Sequence, residues 1–423
     1  MDLEIEPKSR FKVSSLFFMQ KYQKQVLLLY ISTLGGTLLG LVSSVINTRF
    51  LSPVDYGDVR YVQNIITLIS SILLLGYFLS GSRLLALSED ESYSRRIRGA
   101  MIVVLIAASF ILLLSILFCY VIHNNNISCL FLIASPISFS YLFTNYINTT
   151  AQGDNHIGRL ATARLLPTFI YVITAYLVYS NLGASSIKML ILQNGIPSLV
   201  LLLIIVSTKP SFSNLKPVFK ELNIENKVYG FQLYIGSLIM VSSNYLAGIS
   251  LSHFNTDNTQ VGFYTLALTV SSPLAFLPSI IGTTFFKQFA KQTKMPTKIF
   301  KYTILITSAS LLLYVIFIRY IIGILYPESY SQVGYYSSWL ALGFSIHGIG
   351  DMMNRFLGSH GKGKEIRNAS IANGIFKIFG FIVLVYFFNT IGAIVTQIIC
   401  STLYTALMLY YYSTFIKTST QNK

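Results

Sequence analysis

Acidic residues are scarce in this chain. Asp and Glu together number 15 in 423 residues, and all charged residues make up only 11%. Soluble domains carry about a quarter of their residues as charges, so a soluble globular fold is excluded. Cysteine is scarcer still, with Cys119, Cys129 and Cys400. The three are odd in number, lack metal-ligand spacing and sit within or beside apolar runs, so they read as small core residues. Cys119 and Cys129 flank one short loop, which leaves a disulfide between them open. The five His (His123, His156, His253, His347, His360) are scattered, mostly in loops. There is no Ser/His/Asp grouping and no Gly-rich phosphate loop. "HGKGK" at 360–364 lacks a following Ser or Thr and reads as a turn. No catalytic residue, metal or cofactor is therefore expected, and the reading is not an enzyme.

What the chain does have is apolar length. Hydrophobic residues make up 53%, and a bilayer core about 30 Å thick needs about 20 apolar residues per helical span. Runs separated by polar breaks predict twelve spans, near 26–48, 61–80, 99–122, 127–148, 161–182, 187–206, 230–253, 262–282, 301–321, 333–352, 370–388 and 391–413. The first run follows a basic segment and is long enough to cross, so it is a retained helix rather than a cleaved leader.

A net charge of +16 raises nucleic acid as a partner, and the location of the charges decides against it. With the N-terminus in the cytoplasm, only Arg49, Arg60, Lys188 and Arg319 fall outside, and Lys377 lies within a span. Every other Lys and Arg falls inside. This asymmetry predicts both termini cytoplasmic. The longest internal link, "STKPSFSNLKPVFKELNIENKVYG" at 207–230, divides the chain into six spans plus six. The expected organisation is a cytoplasmic segment 1–25, an N-lobe 26–206, a linker 207–229, a C-lobe 230–413 and a cytoplasmic tail 414–423.

The halves repeat. Gly57 and Gly262 each follow the first span of a half, 205 residues apart. Gly153 and Gly358 follow the fourth spans at the same separation, where Arg159 also meets Lys364. Six is an even number, so the repeats share orientation. Such folds place substrate between the halves and alternate access by rocking them.

Polar groups within spans are the functional candidates. Lys377 stands alone in "NGIFKIFGFIVLV", where a charge costs roughly 2.5–3.5 kcal/mol. It is either an anion site in a water-filled cleft or half of an internal contact. Asp351 is the nearest acid and a candidate partner. Arg49 closes the first span, to which Thr37, Ser43, Ser44 and Asn47 give polar character; it is interfacial or lines the cleft. Arg83 follows the second span as an inside charge. Arg60 opens that span and has Asp55 or Asp58 within reach. Asn145, Asn244, Gln193 and Gln397 either hydrogen-bond a sugar or join helices. Lys287, Lys291, Lys294, Lys298 and Lys301 would form one helical stripe, interrupted at Pro296, facing anionic lipid head groups.

"TRFLSPVDYGDVRYVQ" at 48–63, "AQGDNHIGRLATAR" at 151–164 and the 325–365 region resemble the corresponding motifs of Wzx-type polysaccharide exporters, in order and spacing. The resemblance implies the fold of the multidrug/oligosaccharidyl-lipid/polysaccharide exporters: all-α, with twelve transmembrane helices in two six-helix lobes forming a V around a central cavity. It implies flipping of a polyprenyl-diphosphate-linked oligosaccharide across a bacterial inner membrane by alternating access. Arg49 matches a cavity Arg of related flippases, and Arg83 falls near another. Twelve spans rather than fourteen point to the O-antigen and capsule branch. A polysaccharide polymerase and chain-length machinery are the protein partners such export implies. A multidrug or small-solute antiporter shares the architecture, but would more often need a buried acid. A membrane polymerase or acyltransferase is the third reading, and the short outside loops count against it. Reporter fusions after Lys220 and Lys291 should read cytoplasmic and those near Asn125 and Thr256 external; the reverse pattern would overturn the orientation.

Overall fold

The computed structural model describes residues 9–123 and 125–421. All regular structure among them is helical. Eight helices are long and apolar enough to cross a membrane, or nine if the bent pair Pro53–Leu73 and Tyr77–Leu87 is one span. Three further crossings are concealed by geometry. Gly363–Gln421 has 59 residues, roughly 90 Å at 1.5 Å per residue, which is far more than one bilayer. It breaks at Asn389, whose φ of 54° and ψ of −134° are not helical, and so supplies the eleventh and twelfth spans. Asn125–Ala134 and Ser140–Gly153 form a fourth span broken around Pro136. Gln332–Ser359 is long enough for the tenth, with glycines and serines packed against its neighbours. The described residues thus contain the twelve helical crossings expected.

Local chemistry explains the boundaries. Ser52 caps the second span by accepting from the Asp55 amide, and Pro53 opens it where no N–H is needed. The same span bends by 55° where Leu75 and Gly76 take positive φ. The link expected over 207–229 is partly helical: Leu215–Glu225 buries Val218 and Leu222 and runs through a π-helical turn, Asn226–Gly230, into the seventh span. The first helix, Ser9–Phe50, begins well before the apolar run expected from 26. The lysine stripe is corrected. Phe286–Phe289 is a single short turn of helix, and the next helix starts only at Thr297 after Pro296, so these lysines do not share one helix.

Spans one to six pack mainly on one another, as do spans seven to twelve. The halves meet along two seams. One lies at the Arg49 end. A Cβ on Gly57 would sit 1.8 Å from the Asn258 carbonyl oxygen, and one on Gly262 would sit 2.8 Å from that of Pro53 and 3.3 Å from the Gly57 nitrogen. The two glycines matched by the repeat therefore touch across the interface. Tyr330 donates to the Leu51 carbonyl at 3.0 Å, and Tyr326 bonds Ser44 at 2.9 Å. The other seam follows the second and seventh spans. Tyr234 donates to the Ile72 carbonyl at 2.6 Å, and Ser80 to Asn226 at 3.1 Å. At this seam a Cβ on Gly76 would come within 2.5 Å of the Gly230 backbone.

Backbone contact this close leaves no room for a methyl group. Gly57→Ala should cost about 1–3 kcal/mol by overpacking and lower the thermal midpoint in detergent. Gly323→Ala, at a glycine with open space around it, should not. Equal midpoints for the two variants would contradict the seam.

Candidate functional site

A cavity of about 850 Å³ lies among the spans of the first half and reaches the second at Tyr245 and Thr265, where it is adjoined by one of about 390 Å³ in the second half. The two share Asn64, Tyr245 and Thr265 as lining residues. The first half contributes Thr33 and Thr37, Arg60, Gln63 and Thr67, Tyr141, Arg164 and Thr168, and Gln193 and Asn194. The second half contributes Asn244, Thr269, Phe344, Phe381 and Gln397. Hydroxyls and carboxamides dominate the polar lining, two arginines are present, and no lining residue is a carboxylate.

The arginines are held without acids. Arg60 donates to Gln63 Oε1 at 3.0 Å, and its guanidinium lies 4.9 Å over the Tyr56 ring. Its buried Nε has no partner. Arg164 donates to Thr33 Oγ1 at 2.8 Å. Among the described residues neither arginine enters an ion pair. The expected pairing of Arg60 with Asp55 or Asp58 is corrected: Asp55 bonds Ser52 and Asp58 accepts from Asn258. Each acid is already used to hold a cap or the seam.

Lys377 is 7% exposed and donates to Asn244 Oδ1 at 2.7 Å. Asn244 lines the cavity, so the lysine sits one side chain behind the wall. The pairing with Asp351 is not formed. Asp351 Oδ1 accepts from the Tyr404 hydroxyl at 3.2 Å and lies 4.0 Å from His347 Nε2, and the His347 ring stacks on Tyr404. Asp351 was suggested as the nearest acid, but His347 of its own helix and Tyr404 of the twelfth span claim it.

Gln193 and Gln397 line the cavities, whereas Arg49, Arg83, Asn47 and Asn145 are not among the lining residues. Arg49 donates to the carbonyls of Leu325 and Ile324 at 3.0 and 3.2 Å. It thereby caps the last turn of the ninth span, Thr297–Leu325, where open carbonyls favour a cation. Arg83 pairs with Glu225 at 2.7 Å and covers the Tyr229 ring, joining the second span to the linker helix. Asn47 is buried and accepts from Tyr171 and Tyr179, which makes it glue between the first and fifth spans. Asn145 bonds back to the Tyr141 carbonyl of its own helix. Of the expected residues, Arg60 and Gln193 line the larger cavity, Asn244 and Gln397 the smaller one that adjoins it, and Lys377 stands behind Asn244; Arg164, Gln63, Asn64 and Asn194 are added. Arg164 was legible: it falls inside the span expected from 161, although it was counted as an inside charge.

The motif at 151–164 is explained by its acid. Arg98 holds Asp154 with two hydrogen bonds of 3.0 and 3.1 Å, both side chains being buried, and Arg159 joins at 3.4 Å. This is the geometry that suits a buried arginine–carboxylate pair, and it ties the third span to the turn after the fourth.

Residues 23–286 match the profile of a family described as "Polysaccharide biosynthesis protein". No curated protein matches the chain in sequence. Solved structures match over nearly its full length. An inward-facing multidrug resistance MATE family transporter of the MOP superfamily aligns with a TM-score of 0.66 at 15% identity, covering 91% of this chain and 96% of that one. The lipid II flippase MurJ, in an inward closed conformation, aligns with a TM-score of 0.69 at 14% identity, covering 91% and 87%. A MOP superfamily transporter from Pyrococcus furiosus, described as having a binding pocket of reverse polarity, aligns with a TM-score of 0.57 at 13% identity, covering 92% and 94%. At such identities the likeness shows the fold alone, an all-helical one with many spans long and apolar enough to cross a membrane.

Proposed function

Because the chain belongs to the polysaccharide biosynthesis protein family, we propose that it flips a polyprenyl-diphosphate-linked oligosaccharide from the cytoplasmic to the outer leaflet of a bacterial inner membrane. The observation that carries this reading is the polarity of the cavity. Arg60 and Arg164 line it, Lys377 stands behind Asn244, and no carboxylate is among the lining residues. A diphosphate leaving the head-group region loses hydration, and burying such a charge is prohibitive unless charge-assisted hydrogen bonds replace the water. The arginines offer planar paired donors, while Lys377 offers a point charge reached by displacing Asn244. The prenyl chain stays in lipid between the halves.

The seam at the Arg49 end supports closure of the cavity on the side away from the termini, which we place in the cytoplasm. A negative-inside potential would then favour outward movement by about 2.3 kcal/mol per charge per 100 mV, and removal of product by a polymerase would add a pull. Twelve spans favour the O-antigen and capsule branch. The lysines around 291–301 suit anionic lipid at the cytoplasmic face. A multidrug antiporter of the same architecture would take organic cations, and a lining without carboxylates counts against it.

Lys377→Ala should abolish surface polysaccharide while the protein remains in the membrane, with lipid-linked units accumulating on the cytoplasmic side. Lys377→Arg should keep part of the activity, and the neutral Lys377→Gln should lose about 10- to 100-fold, as for a lost charged hydrogen bond. Normal surface polysaccharide in the Lys377→Ala strain at normal expression would end the role given to this residue.

A further inference from the structure

We propose that one wall of the cavity is a carbohydrate-recognition subsite built by a π-helical turn in the sixth span. The inference rests on the flippase reading and names which part of the substrate that wall reads. The turn is Ile191–Gly195, inside the span Ser186–Ser207. Its cause is legible two residues later. Pro197 has no N–H for the Gln193 carbonyl, and its ring would clash with that carbonyl in a regular α-helix. The π turn relieves the clash by widening the helix. Gln193 and Asn194, both on this turn, line the cavity. Single π turns of this kind are frequent at functional sites.

The hydrogen bonds divide the work. Asn194 is buried, accepts from Gln63 Nε2 at 2.9 Å and donates to Ser138 Oγ at 2.9 Å. It fixes the wall. Gln193 is held only through Oε1, which accepts from the same Gln63 nitrogen at 3.3 Å. Its amino group has no partner among the described residues and is free toward the cavity. Asn64, one residue from Gln63, lines both parts of the space. These carboxamides each offer donors and acceptors in one plane, the combination that a sugar hydroxyl or acetamido group requires. They are poor partners for a diphosphate, which the arginines serve, and no carboxylate is there for a cation. Tyr141 and Tyr245, which line the same cavity, supply amphipathic ring faces against which a sugar can pack. The glycan would therefore rest on Gln193 and Asn64 while the diphosphate lies toward the arginines.

The test uses the purified full chain in lipid nanodiscs and two probes: undecaprenyl diphosphate, and the same lipid carrying one N-acetylhexosamine. The native chain should prefer the glycosylated probe. In Gln193→Ala and in Asn64→Ala that preference should fall about three- to tenfold, as for one lost hydrogen bond, and Gln193→Asn should restore part of it. Binding of the bare lipid in each variant reports that the protein is folded. An unchanged preference in both variants would overturn the subsite. A native chain that binds both probes equally would overturn the subsite and leave the flippase reading standing. A native chain that binds neither probe would overturn both.

Discussion

A lysine ammonium held 2.7 Å from a single amide oxygen, among helices that cross a bilayer, sets the terms for the rest of the molecule. A neutral amide satisfies one of its three donors and none of its charge. Such a group is tolerated only beside water or beside an anion that comes and goes. The neighbouring space meets that demand. It is lined by hydroxyls and amides, and its other cations, Arg60 and Arg164, are likewise held by neutral oxygens. Where this protein pairs charge for structure it does so elsewhere, as Arg98 with Asp154 and Arg83 with Glu225. On the proposed function, the separation of these paired charges from the acid-free cations at the cavity is what would favour an anion there.

The second constraint is the close approach of backbones between the halves. Gly57 and Gly262 meet at one end and Gly76 meets Gly230 at the other. The first contact, together with Arg49 on the carbonyls of the ninth span, closes the space at that end. Contacts made by glycine and by single hydrogen bonds can part and re-form as units, which is what rocking of two halves requires.

Much of this was legible in the sequence. Apolar runs gave the spans, and the equal spacing of Gly57 and Gly262 marked a point where the halves touch. The breaks at Asn389 and at Leu75–Gly76 were less visible, because hydropathy measures composition and these are matters of backbone angle. Lys377 stood out as a charge in an apolar run. Its partner did not, because Asn244 lies on a helix far away in sequence, whereas Asp351 was merely the nearest acid. Arg49 was read as interfacial or as lining the cleft, and its guanidinium is on the open carbonyls of a helix end. Gln193 and Asn194 sit on a π turn just before Pro197, and no regular periodicity predicts such a turn.

The central claim is that these residues carry an anionic lipid-linked glycan across the bilayer. It is tested most directly in sealed vesicles that contain the purified chain and a defined lipid-linked oligosaccharide in both leaflets. A membrane-impermeant reagent that modifies the glycan reads only the outer pool. The account predicts that the protected inner pool becomes accessible when the native chain is present and stays protected with Lys377→Ala. An inner pool that remains protected despite correctly folded native protein would contradict it.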